Sequence, residues 1–247
     1  MKTCIFTRAR DAVFLELWLK YYSKYIQNIF VIDNLTLDGS IERCQKLYNF
    51  NIINDIYVPY NDHVNHWNKR IKKIQQYLFN YYDVVIYADT DEIIVSLDCP
   101  LDTYIENMKT DYITCTGYDV IDINEIPINL DKPILEQRKY WFRDKWMDKT
   151  LISKIPINWE YGFHWHDNIN IYDEKLLLIH LNRVDYNLCI KYRKAAEYFL
   201  HRQTKEGILK DYDNRFNGEN KFDKYYYCGI SDKPFEYTEI DIPKNYF

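Results

Sequence analysis

Two aspartates one residue apart, Asp89 and Asp91, carry the sharpest chemical signal, because they follow directly on the apolar run Val84-Val85-Ile86-Tyr87-Ala88. A run of that length reads as a buried strand, so carboxylates at its end sit at the rim of a core. Two like charges there cost free energy unless a cation offsets them. Both can reach one divalent ion, or one can hold a ribose hydroxyl. Oxygen donors joined by an imidazole suit Mn²⁺ or Mg²⁺, with positions left open for diphosphate oxygens. An aspartate pair in an acidic surface loop would need no such account; its place behind a strand sets this pair apart.

Two histidines are alternatives for completing such a site. His180 closes the run Leu176-Leu177-Leu178-Ile179, and His164 lies in Trp159-Glu160-Tyr161-Gly162-Phe163-His164-Trp165-His166-Asp167. A histidine beside an apolar run is also a common hydrogen-bonded structural residue. The second segment reads as an aromatic pocket wall, with Trp159, His164 and Trp165 facing a sugar ring; plain aromatic packing is the competing reading. His63 and His66 lie in a loop before a helix and receive no role.

Composition narrows the partners. In 247 residues, 32 Lys and Arg face 37 Asp and Glu, a net charge of −5, which excludes a general nucleic-acid binder. The 6 glycines are scattered and form no G-x-G-x-x-G or G-K-[ST] phosphate cradle. The 6 cysteines are widely spaced with no C-x-x-C, so neither a zinc ribbon nor a disulfide-stapled small domain is expected. The start, MKTCIFTRARD, has no apolar leader region, and no run approaches the length of a membrane span. A cytoplasmic protein without a transmembrane segment is the expectation.

These side chains need elements to position them. Cys4–Phe6, Asn28–Ile32, Ile52–Val58 and Val84–Tyr87 read as strands. Helices are expected from Asp11 to about Lys24, through Glu42–Tyr48, and along the stripe Trp67, Ile71, Ile74, Leu78, Tyr81. Alternation of this kind predicts an α/β fold with a mostly parallel central sheet flanked by helices. Ligands then bind beyond the carboxyl ends of the strands, where the loops Thr7–Asp11, Asp33–Ser40 and Asp89–Glu92 should meet. Beyond Pro100 the pattern gives a helix at Leu101–Lys109 and strands at Tyr112–Thr116, Leu151–Ile155 and Lys175–Ile179. Residues 120–148 are irregular, a long basic helix runs from Tyr186 to about Leu209, and the tail from Asp211 is not assigned. A single domain over 1–247 is expected, with a nucleotide-binding half to about 118, an acceptor and metal-completing half over about 119–210, and a tail over 211–247.

The motifs together show a resemblance. Arg10-Asp11, Phe14 to Tyr22, and Asn28–Asp33 with Asn34, Thr36, Asp38 and Gly39-Ser40 resemble the opening of GT-A glycosyltransferases, in particular the family-2-like and family-92-like branches. Tyr87-Ala88-Asp89-Thr90-Asp91-Glu92 is similar to their D-x-D-E element. Lys149–Ile152, Gly162-Phe163-His164 and Leu178–Arg183 resemble later elements in the same order, so the likeness runs over about residues 3–195. Arg10-Asp11 replaces an Asn-Glu pair, Thr36 a serine, and Leu17 a helix glutamate.

The resemblance implies a Rossmann-like nucleotide-sugar fold and metal-dependent transfer of a sugar, from a UDP-sugar first of all, to a glycan, protein or small-molecule hydroxyl, with inversion. It implies that Asp33 contacts base or ribose, Asp89 ribose or metal, and Asp91 the metal, with His180 a further ligand. Thr7, Arg8, Arg10, Asn34, Thr90 and Lys149 fall in the elements that would surround the donor. Inversion requires a carboxylate to deprotonate the acceptor. Glu160 is the first choice, ahead of Asp119 and Asp167. A nucleotide-sugar pyrophosphorylase shares the sheet and carboxylates, but Thr7–Asp11 lacks the glycine such an enzyme carries there. A carbohydrate-binding protein without catalysis is the non-enzymatic alternative.

Overall fold

The computed structural model describes residues 1–9, 12–34, 36–54, 63–122, 126–129, 131–138, 140–189 and 238–239. Backbone contacts divide the chain into two units. The first takes in Met1–Tyr118 and Asp144–His180, the second Asp119–Arg143 and Leu181–Asn245.

In chain order the elements are β1 (Thr3–Ala9), α1 (Leu15–Tyr22), β2 (Asn28–Asp33), α2 (Ser40–Gln45), β3 (Asn51–Asn54), α3 (His63–Leu78), β4 (Val84–Tyr87), β5 (Glu92–Ser96) and α4 (Leu101–Asn107). They are followed by β6 (Tyr112–Ile121), α5 (Ile134–Gln137), β7 (Tyr140–Arg143), β8 (Lys149–Ser153), β9 (Tyr172–Arg183) and β10 (Thr238–Glu239). The fold is mixed α/β.

In the first unit β3, β2, β1 and β4 lie side by side and parallel. The next strand, β8, is antiparallel to β4, and β6 is antiparallel to β8. β5 pairs antiparallel with β9. The sheet is therefore mixed, which corrects the expectation of a mostly parallel one. The apolar run of a buried strand reads alike in either direction, so the sequence carries no sign of the reversal.

The strand ends also differ from expectation. β1 continues to Ala9 because its ladder with β2 runs on to Ala9 opposite Asp33, which places Thr7 and Arg8 in the strand rather than in a loop. β5 has no counterpart in the sequence reading, where Asp89–Glu92 ended as a loop; Ile93, Ile94 and Val95 are fully buried there. β6 and β9 are longer than expected, so His180 lies within a strand rather than after one. The end of the expected third strand (55–58), and nearly all of the expected basic helix and tail, fall outside the described residues.

Packing explains the helices. Leu15, Trp18, Leu19 and Tyr22 of α1 are buried along one face. Its two tyrosines cap a buried edge of β5: Tyr21 Oη donates to Ile94 O at 2.7 Å, and Ile94 N–H donates to Tyr22 Oη at 2.9 Å. Tyr22 Oη also lies 3.2 Å from Glu92 O. Backbone groups of β5 that would otherwise be buried unpaired are satisfied in this way. On α3 the stripe Trp67, Ile71, Ile74 and Leu78 is buried as expected, but Tyr81 falls beyond the helix and is exposed against Tyr77.

In the second unit β7 pairs with β10, and Arg138 donates to Val184 O at 2.5 Å and to Ile126 O. Among the described residues no helix is long and apolar enough to cross a membrane.

Candidate functional site

Strand register assembles the site. β4 pairs with β8 through Val85 opposite Ser153 and Ile86 opposite Ile152. Followed towards the carboxyl end of β4, this antiparallel register carries the start of β8, Lys149, towards Asp89. β5 pairs with β9 through Glu92 opposite His180, which sets the imidazole beside the residue preceding Glu92, Asp91. The reversal of β8 and the unexpected β5 are thus what bring a lysine and a histidine to the carboxylates.

The turn from β4 to β5 is closed at both ends. Glu92 N–H donates to Asp89 O at 2.9 Å, and Asp89 N–H donates to Glu92 Oε2 at 3.0 Å. The other Glu92 oxygen accepts from Lys149 Nζ at 2.5 Å. Lys149 Nζ also stands 3.7 Å from Asp89 Oδ2, and Tyr87 Oη donates to Asp89 Oδ1 at 2.5 Å. Asp91 Oδ2 lies 3.4 Å from His180 Nε2.

Three carboxylates therefore face one ammonium and one imidazole, in a place that water reaches poorly. Burial drives the Glu92 carboxyl above its ordinary range; Lys149 opposes this, and Asp89 and Asp91 reinforce it. Burial also pushes Asp91 up, but His180, through charge and hydrogen bond, with Lys149 behind it, brings Asp91 to a net lowering. For Lys149 the loss of hydration is outweighed by Glu92 and Asp89, so its ammonium is held. Tyr87 stays a phenol, raised by burial and by Asp89.

Asp91 and His180 are a donor pair suited to a hard divalent cation whose other positions go to water and phosphate oxygens. Asp89 is engaged instead by Tyr87 and Lys149. Among the described residues no three His, Cys, Asp or Glu side chains group as a metal site, so the Asp89, Asp91 and His180 set does not close in this arrangement.

The remaining expected residues are distributed as follows. Thr7 is buried, with no hydrogen bond to its hydroxyl, and Arg8 lies with its guanidinium 4.7 Å from the centre of the Trp67 ring. Arg10 falls outside the described residues. Asp33 ends β2 beside Ala9 of β1, and its Oδ1 accepts from Thr36 N–H at 2.9 Å. Asn34 is buried, with its N–H on Ala9 O at 2.9 Å, and Thr90 is buried in the β4–β5 turn. Asp33, Asn34, Arg8 and Asp89 thus share the carboxyl end of the parallel strands.

Trp159 corrects the sequence reading. It is fully buried, packs against Tyr87 and Phe163, and donates its indole N–H to Thr150 O at 2.8 Å, so its ring gives no face to a ligand. Trp165 points outward and His164 is half-buried. Burial, with the charge of Lys149 added, lowers His164 to about 4, and it is neutral. His166 is structural: Nδ1 accepts from Asn168 N–H at 3.1 Å, so the proton lies on Nε2, 2.7 Å from Thr150 Oγ1.

The three candidate bases separate. Glu160 is exposed, with no hydrogen bond or ion pair on its carboxylate among the described residues. Asp167 accepts from Asn158. Asp119 is fully buried in the second unit, paired with Arg183. The residues that sequence reasoning left without a role are Glu92, Tyr87 and Trp146. Glu92 was legible in part, since it opens the apolar run Ile93-Ile94-Val95.

A cavity of about 590 Å³ lies elsewhere in the first unit, lined in part by Asp98, Tyr104, Asp173 and Lys175. Two of its carboxylates are already engaged, Asp173 by Tyr104 at 2.8 Å and Asp98 by Lys175 at 2.5 Å. Buried carboxylates with perturbed titration gather at Asp89–Glu92, and that is where chemistry is to be sought.

No protein-family profile matches the chain, and no curated protein sequence matches it. Among solved structures the chain is similar to the crystal structure of a glycosyltransferase involved in the glycosylation of the major capsid of PBCV-1, at 16% identity and a TM-score of 0.26. The match covers 51% of this chain and 53% of that one, about half the length of each. The functional reading rests on the geometry of the site.

Proposed function

We propose that the chain transfers a glycosyl group from a nucleoside-diphosphate sugar, a UDP-sugar first of all, to a hydroxyl acceptor. The observation that carries this reading is the convergence of Asp89, Asp91 and Glu92 on Lys149 and His180 beyond the carboxyl end of β4. An excess of carboxylate there is costly without a further cation, and open parallel strands bind nucleotides at that edge.

Asp91 and His180 are the residues to hold Mn²⁺ or Mg²⁺, which when bound would offset charge on the departing diphosphate. Lys149 and Arg8 add fixed positive charge on the same side. Asp33 and Asn34, at the end of β2, would receive the nucleoside, and Asp89 a ribose hydroxyl. In the transfer the acceptor oxygen bonds to the anomeric carbon as the bond from that carbon to the diphosphate oxygen breaks. The electron pair leaves with the diphosphate, and the acceptor proton passes to Glu160. A single displacement of this kind inverts the anomeric centre.

The test is a panel of nucleotide sugars incubated with Mn²⁺ or Mg²⁺ and assayed for released sugar. The reading expects release from at least one donor, stopped by chelation. Release from none, with either metal, would refute it.

A further inference from the structure

Trp146 and Trp165 are 57% and 46% exposed, although Met147 beside the first, and Trp159 and Phe163 in the segment of the second, are buried. Their centroids are 5.2 Å apart with the planes at 80°, and the His164 ring lies 6.4 Å from one and 5.7 Å from the other. The arrangement is a corner of two indoles closed by an imidazole.

Both sides of the corner are built. Trp146 sits in the 3₁₀ turn Lys145–Met147, where Asp144 Oδ1 accepts its N–H at 2.9 Å and Met147 is buried beneath. That turn lies so close to β6 that a Cβ at Gly117 would come within 2.4 Å of the Met147 backbone. Trp165 sits in a hairpin closed by the Trp159–His166 bridge and by Glu160 N–H on Trp165 O at 2.8 Å. Within it Gly162 and Phe163 have φ of 66° and 64°. A side chain at Gly162 would meet the His164 ring at 2.7 Å. Strain of this kind persists where surrounding structure holds it; here it sets the His164 ring beside the two indoles.

The corner adjoins the acid cluster. Phe163 packs on Tyr87 with ring centroids 4.6 Å apart, and Tyr87 holds Asp89. The apolar area is two rings wide and is edged by Asp144, Lys145, Glu160 and Asp167, too small and too polar-rimmed for a lipid tail or a protein face. A pyranose, with an apolar C–H face and a rim of hydroxyls, matches it.

We propose that Trp146 and Trp165 are the acceptor platform, on which a sugar ring of a saccharide acceptor stacks, with His164 bracing the corner through its hydrogen bond to the Trp146 backbone. This rests on the glycosyl-transfer reading. The platform makes the acceptor a glycan or free saccharide rather than a peptide side chain.

Saturation-transfer NMR with the methyl glycosides of glucose, galactose, mannose and N-acetylglucosamine, and with cellobiose and maltose, tests it on the whole chain. At least one saccharide should show ring-proton contact that Trp146→Ala and Trp165→Ala each reduce and the double variant abolishes. The double variant should raise the acceptor KM tenfold or more and still bind UDP with Mn²⁺ by calorimetry. No binding of any saccharide by the wild type, or an unchanged acceptor KM in the double variant, overturns the platform. If saccharide binds through the two tryptophans but UDP does not bind with any metal, the platform stands and the glycosyl-transfer reading fails.

Discussion

Lys149 Nζ lies 2.5 Å from Glu92 Oε1, with the lysine side chain 5% and the glutamate 1% exposed. This buried pair does two things at once: it holds the β4–β5 turn through Glu92 and it sets an ammonium beside Asp89. Removing one partner leaves a buried charge uncompensated, which costs about 3–5 kcal/mol. Lys149→Met should lose stability of that order in urea unfolding, and adding Glu92→Gln should restore a large part of it. A loss in Lys149→Met below about 1 kcal/mol would show the pair to be solvated.

Gly162 is a second structural test. Alanine there would need a left-handed backbone and would place Cβ against His164, 2.7 Å from its Cδ2. Gly162→Ala should cost about 1–3 kcal/mol and displace the His164 ring, visible as changed histidine resonances. Gly39 also has positive φ, at 73°, but a Cβ there meets nothing nearer than 3.5 Å. Gly39→Ala should therefore cost less; equal losses would remove the steric part of the argument.

Stability should fall in mild acid. Burial and the Lys149 charge take His164 from its ordinary 6.5 to about 4, and burial lowers His166 as well. Between those two pH values the unfolded chain binds the proton and the folded one does not, so stability drops as pH falls through that window. The slope from one such group is at most about 1.4 kcal/mol per pH unit. Above the ordinary histidine range the contribution is constant. His164→Asn should flatten the profile, and an unchanged profile in the variant would contradict a neutral, half-buried ring.

The candidate bases differ in what their loss should do. Glu160 is exposed and unengaged among the described residues, so Glu160→Gln should change stability by no more than about 0.5 kcal/mol while lowering kcat of transfer at least tenfold. Asp119 is buried against Arg183, and Asp119→Asn should cost about 3 kcal/mol or more of stability. Full transfer activity in Glu160→Gln would place the base elsewhere.

Much of the site was legible in the sequence, for reasons that can be named. The Asp89–Asp91 pair announces itself because a buried strand, Val84–Tyr87, ends just before it, and Asp33 closes another such strand. His180 stood out as the polar residue that closes the apolar run Leu176–Ile179. Trp159 was not, because an indole in an aromatic segment reads the same whether it faces a core or a ligand; only the Trp159–His166 bridge sends one tryptophan in and the other out. The partner of Glu92 was equally hidden. Lys149 reaches it through an antiparallel register between strands more than 60 residues apart, as Val85 lies opposite Ser153, and no local pattern encodes that pairing. Tyr21 and Tyr22 were equally unreadable as partners of β5, whose backbone groups their hydroxyls satisfy.

The proposed transfer requires that Asp91 and His180 hold a divalent cation through which a nucleoside diphosphate binds. Calorimetric titration of UDP into the protein, with Mn²⁺ and then with EDTA, tests it most directly, run alongside Asp91→Asn and His180→Gln. UDP should bind only with the metal, and at least tenfold more weakly in either variant. Binding of equal strength with EDTA, or in both variants with metal present, would contradict it.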